Sequence, residues 1–351
     1  MFGKKNLKQE GGSDSTNLQG QNVVINNGIN YSDAKEIALD VFKSNFLELS
    51  QSAAFIAKQR AEELIDDFLK RIIDRDPLKI NKIQDPDIQY AIFTAQKEYA
   101  KSGEKNLEEM LIDILIRRVE ENSQSLKKIV LNESLEILPK LTNEQLDILT
   151  IVFLIHETQN NQITDRLTFK NYLEIYFSPF VEQITPNNAV YKHLEYTGCC
   201  GSFGIPDDNF ANLLLNKYKG LFSNGFEKSI FEQITNGDEK YNSLIINCVN
   251  NPTLYQFNAM DEIALEKRLN ELEPNNIHLS SFKSLLNEST MNIDQATKLV
   301  IELEPKLEIL IKVWKESYLC TMNTTSVGIM LAIVNLKRKT GLDIDANIWI
   351  K

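Results

Sequence analysis

The chain has 351 residues, 42% of them hydrophobic, and a formal charge of −11. That length suits two domains or one large helical one, and the acidic balance excludes a general nucleic-acid binder, because phosphate contacts need positive charge. Four cysteines make no disulfide framework in so long a chain, and Met1-Phe2-Gly3-Lys4-Lys5 has no apolar run behind it, so the chain reads as cytoplasmic.

The first element lies in residues 1–31, an Asn/Gln/Gly-rich leader. No charged side chain occurs from Ser15 to Ser32, and Val23, Val24, Ile25 and Ile29 supply strand-forming bulk. Uncharged Asn/Gln segments with β-branched residues and no Pro stack readily, because amides ladder while backbones pair between chains. Gly20 and Gly28 mark turns between short strands. The expected assembly residues are Asn17, Leu18, Gln19, Gln21, Asn22, Val23, Val24, Ile25, Asn26 and Ile29. A flexible polar tail is the plainer alternative.

The body, residues 32–351, reads as mostly α. Asp33 with Glu36 forms a capping-box pattern, and apolar residues then recur at threes and fours without Pro or Gly until Pro77. This predicts a long first helix over 33–74, roughly 60 Å if unbroken, with two helices bent near Ser50 as the alternative. Asp87 is expected to cap a helix that stops near Gly103. Helices over 107–118 and 125–138 follow, and Thr142 caps the next. The almost wholly apolar 148–155 marks that helix as the most buried. The aromatic run Phe169, Tyr172, Tyr176, Phe177 and Phe180 reads as core.

Small residues in G-C-C-G-S-F-G-I-P, 198–206, predict a tight loop or strand pair and a boundary between domains 32–200 and 201–351. Helical texture resumes over 208–219, 226–234, 241–249, 258–272, 279–287 and 293–314, the last interrupted at Pro305. Residues 317–336 carry no charge and are long enough to span a bilayer, yet Asn323, Thr324, Thr325, Ser326 and Asn335 make them polar for that. The preferred reading is a short strand over 318–322 and a buried helix over 327–336, capped by Thr325 or Ser326. Lys337-Arg338-Lys339 then complements that helix's C-terminal dipole.

Little in the chain names a reaction. Residues 220–229 imitate a phosphate-binding loop, but Phe226 and Glu227 stand where its Lys belongs. Cys199 and Cys200, with His193 six residues before Cys199, are weak catalytic candidates as thiol and base, and packing is the simpler role for the pair. His156, His193 and His278 lack metal-ligand spacing, so no metal or cofactor is expected.

The segment Asn17-Leu18-Gln19-Gly20-Gln21-Asn22 resembles the amyloid-like signalling motifs of bacterial and fungal defence proteins, which are similar to the RIP homotypic interaction motif. It departs from that pattern because Gly20 follows Gln19 with no apolar residue between them. More broadly, residues 17–46, His193-Leu194-Glu195-Tyr196-Thr197-Gly198-Cys199 and Thr325-Ser326-Val327-Gly328-Ile329 resemble an uncharacterised bacterial family, which carries over no activity. The leader's resemblance implies a self-assembling or partner-recruiting module of anti-phage defence or stress signalling: a homo-oligomer with room for a second protein of its system. A cysteine-dependent hydrolase and a latent membrane effector acting through 318–336 are the alternatives.

Overall fold

The computed structural model describes residues 28–45, 50–121, 125–202, 209–272, 275 and 277–351. The body is helical, and two helices form its centre. These are α6, Asn143–Glu157, and α15, Ser326–Thr340, and they pack along each other. Every residue of α6 from Gln145 to Ile155 and every residue of α15 from Val327 to Leu336 is buried. A helix apolar all round must lie inside. The run at 148–155 therefore occupies the expected place.

The elements before α6 are α1 (Tyr31–Asn45), α2 (Gln51–Arg75), α3 (Pro86–Ser102), α4 (Lys105–Glu120) and α5 (Leu126–Ile137). They stack in succession, and α15 packs against α4 and α5. Of the two readings of 33–74, the single long helix is corrected and the pair divided near Ser50 is found: α1 and α2 are separate helices that pack on each other, with Ser50 at the start of α2. Lys35 meets Asp66 at 2.8 Å across that contact, and the Tyr31 hydroxyl donates to the same carboxylate at 2.5 Å. A continuous rod would have left these two apolar stripes exposed, and folding them together buries Ala34 and Ala38 with Leu64, Ile65 and Phe68.

Local chemistry sets the helix ends. Asp85, not Asp87, caps α3, with Pro86 at its first position, and Gly103 closes it at φ +68°. Pro at that position loses no helical hydrogen bond, and the left-handed closure suits Gly. Ser125 caps α5, and Thr142 with Gln145 forms a reciprocal capping box on α6. Thr325 caps α15 by accepting from Gly328 N at 3.2 Å. The preceding strand lies at Met322–Thr324, with a tight helical turn at Tyr318–Thr321 where a strand was expected.

After α6 come α7 (Arg166–Tyr176), α8 (Asn188–Tyr196), strand β1 (Cys200–Ser202) and α9 (Phe210–Lys217). The aromatic run is core as expected: Phe169, Tyr172, Phe177 and Phe180 are buried, and Phe177 meets Phe210 edge-on at 5.4 Å between centroids. Then follow α10 (Lys228–Thr235), β2 (Ile245–Asn247), β3 (Tyr255–Phe257), α11 (Glu262–Leu272), α12 (Leu279–Glu288), α13 (Ile293–Leu303), α14 (Leu307–Glu316) and β4 (Met322–Thr324). The expected helix over 241–249 is corrected: Ile245–Asn247 pairs antiparallel with Tyr255–Phe257. The β-branched pair Ile245-Ile246 and the turn at Asn250-Asn251-Pro252 favour a hairpin over a helix.

Among the described residues, two larger hydrophobic clusters organise the chain, beside a small third one of Phe42, Ala57, Ala61 and Ala100 between α1, α2 and α3. The first runs from Ala34 to Ile350 and includes both central helices. The second draws only on residues between Phe226 and Leu286. This second group is a lobe whose entry and exit lie side by side. Asn224 N donates to Ser289 O and Met291 N to Phe222 O, each at 2.7 Å, and Ser223 bridges Thr290.

Candidate functional site

The Cys199–Cys200 turn follows α8 and passes through Gly198 at φ +72°. β1 then pairs with β4 in the register Cys200↔Thr324. Thr325 N donates to Cys199 O at 3.0 Å, and Thr325 Oγ1 donates to Gly198 O at 2.6 Å. The small residues at 198–201 thus let the turn seat the start of α15. Gly328 makes this possible: a Cβ there would lie 2.0 Å from Cys199 O.

Cys199 and Cys200 are 0% and 3% exposed. Burial pushes both thiols above their ordinary pKa, Cys200 well above it, with the neighbouring Cys199 and Glu195 adding to the shift at Cys200. A reactive cysteine needs a thiolate and access. His193 does not serve these thiols. Gln145 Oε1 accepts from Thr142 N, so its Nε2 faces the ring and donates to His193 Nδ1 at 2.9 Å. The Cys199 thiol has Thr197, not His193, as its side-chain hydrogen-bond partner. The structure therefore brings the three candidates into one region but pairs none of them as nucleophile and base.

Sequence reading passed over two charged networks on α15. Asp147, 1% exposed, accepts from Lys339 Nζ at 2.6 Å and from Asn335 Nδ2 at 3.1 Å, and Asn335 also donates to Thr150. Burial is the main influence on Asp147 and raises its pKa, against the pull of Lys339 and Asn335. Lys337 bonds Asp113 and meets Asp343 at 2.9 Å, and Arg117 holds Asp113 from the other side at 2.9 Å. The basic triplet ends its helix as expected, and it also ties α15 to α4 and α6. Lys217 has its pKa pushed down to about 8 by burial, and its ammonium donates to Thr158 O at 2.6 Å, closing the end of α6.

Of the assembly residues, Asn17, Leu18, Gln19, Gln21, Asn22, Val23, Val24, Ile25 and Asn26 lie outside the described residues. Ile29 lies inside them. Its side chain packs on the main core, and its N–H donates to Asn81 Oδ1 at 3.1 Å. Asn81 also crowds Gly28, where a Cβ would come within 2.2 Å of its Oδ1. The chain therefore enters the body at a fixed point.

A model of an uncharacterised protein family matches residues 28–350. The chain belongs to that family. The match takes in the anchor at Ile29, both central helices and the inserted lobe. No curated protein and no solved structure matches the chain. Among the described residues, no group of three or more His, Cys, Asp or Glu is placed to hold a metal ion, and no helix is long and apolar enough to cross a membrane.

Proposed function

We propose that this protein is a self-assembling module of bacterial defence or stress signalling, in which the segment from Asn17 to Asn26 pairs with its copies on neighbouring chains, Ile29 serving as the anchor to the body instead of as part of the seam. The observation that carries this reading is a charge-free, β-forming segment attached to an anchored residue. Ile29 is held by the core and by Asn81, so the segment before it leaves each body at the same place. A fixed exit lowers the entropy lost when segments align, because only the segment itself must order. The charge of −11 favours dispersed bodies, and an uncharged segment escapes that repulsion. A second protein carrying a similar segment would join the same stack.

Burial of both thiols and the separate partner of His193 speak against a cysteine-dependent hydrolase. The segment 318–336 supplies β4 and the buried helix α15, so a membrane role would require unpacking the centre of the body. The test is light scattering on the full chain and on a chain beginning at Gly28, which keeps the Ile29 anchor. The expected result is an oligomer for the first and a smaller species of unchanged helicity for the second. Equal mass for both would remove the leader as the seam.

A further inference from the structure

The lobe spanning 223–290 joins the body where Phe222–Asn224 meets Ser289–Met291, and a cleft of about 240 Å³ opens between lobe and body. The body contributes Thr164 and Leu221 to its wall, and the lobe contributes Phe257, Asn258, Met260 and Arg268. Its frame is well fixed. Gly220 N donates to Met260 O at 2.8 Å, and the buried Gln256 donates to Gly220 O at 2.9 Å while accepting from Val249 N. Gly220 lets the two backbones meet, since a Cβ there would come within 2.3 Å of Ala259 O.

The polar lining has one sign of charge. Among the described residues Arg268 is the only charged side chain in the wall, and it sits four residues after Ala264, on the same face of α11. Neither the Arg268 guanidinium nor the Asn258 amide has a partner among the described residues. This sets the cleft apart on an acidic protein. Four other clefts each include at least one carboxylate: Glu104; Asp85 with Asp87 and Glu121; Glu62 with Glu63 and Asp66; Glu109 with Asp113.

We propose that this cleft binds a small apolar carboxylate, its anionic end on Arg268 and Asn258 and its apolar part against Leu221, Phe257 and Met260. A guanidinium fork matches a carboxylate in two parallel hydrogen bonds. A single cation balances one negative charge, which favours a carboxylate over a doubly charged phosphate. The cleft has room for a small acid such as benzoate or hexanoate. Because lobe and body both line the cleft, the ligand would also tie the lobe to the body. The site goes beyond assembly and does not depend on the leader.

Isothermal titration of the full chain with benzoate, hexanoate, phenyl phosphate, inorganic phosphate and benzylamine tests the proposal. Benzoate or hexanoate is expected to bind with a dissociation constant of about 0.1–1 mM, as ligands of this size do in modest sites, and benzylamine is expected not to bind. Arg268 is exposed, so Arg268→Ala should keep the parent's helicity and melting yet weaken carboxylate binding by about tenfold or more. Ala264→Leu, which fills the same wall, should weaken it too. Failure of both acids to bind at tens of millimolar, equal affinity for parent and Arg268→Ala, or tighter binding of either phosphate than of benzoate would each overturn the assignment.

Discussion

Gly328 touches Cys199 O so closely that no side chain fits between them, and Thr325, three residues earlier, holds that same carbonyl by a hydrogen bond. The crowding atom belongs to backbone, which cannot swing aside. Gly328→Ala should therefore cost about 2–3 kcal/mol, the upper range for forced overpacking, and urea denaturation would measure it. The neighbouring thiols add a dependence on pH. Unfolded, they lose protons near pH 9, whereas burial keeps them protonated in the folded chain. Above that point the folded state binds more protons, so stability present below pH 9 is lost as pH rises. Melting curves from pH 7 to 10 should fall less steeply for Cys199→Ala/Cys200→Ala than for the parent, and parallel curves would contradict this. The packing role of the cysteines was legible in their small-residue setting. The contact of Gly328 was not, because its partner lies far away in sequence and nothing local marks it.

At the scale of elements, α6 and α15 are joined by an ion pair whose carboxylate, Asp147, is buried and whose ammonium, Lys339, is partly exposed. Asp147 is nearly fully buried, and among the described residues Lys339 is its only cation at bonding distance. Lys339→Met should cost about 3–5 kcal/mol by leaving a buried carboxylate unpaired, while Asp147→Leu/Lys339→Met should recover most of that loss. Thermal melting of the two variants and the parent decides this, and a double variant no better than Lys339→Met would show that the network, not the pair, matters. The helices themselves were readable where caps and apolar runs agree, as at Thr142 and through 148–155. One helix and two were both compatible with 33–74 because the stretch holds no Pro or Gly, and the signal that divides it is tertiary: Tyr31 and Lys35 both reach Asp66. The hairpin at 245–257 was misread because two short strands leave too few residues to show a period of two.

At the scale of the molecule, the inserted lobe has its own core and meets the body through hydrogen bonds, the Lys219–Glu262 ion pair and the packing of Met260 on the main core. Hydrogen exchange should show its amides opening together, at lower free energy than those of α6 and α15; matched protection across lobe and body would contradict that. The lobe was invisible in the sequence because its boundaries fall inside 201–351 at Ser223 and Thr290, where only a three-dimensional bridge marks them. The leader's chemistry, in contrast, is plain in its composition, and the structure adds the anchor at Ile29. In a strand, Val23 points to one face while Asn22 and Val24 point to the other. A charge on either face would be stacked against its copies at about 0.2–1 kcal/mol for each opposed pair, repeated along the assembly. Light scattering on Val24→Lys beside the parent chain is the most direct measurement. The account predicts an oligomeric parent and a dispersed Val24→Lys with the same helical circular dichroism and melting. A Val24→Lys chain that assembles like the parent would contradict it.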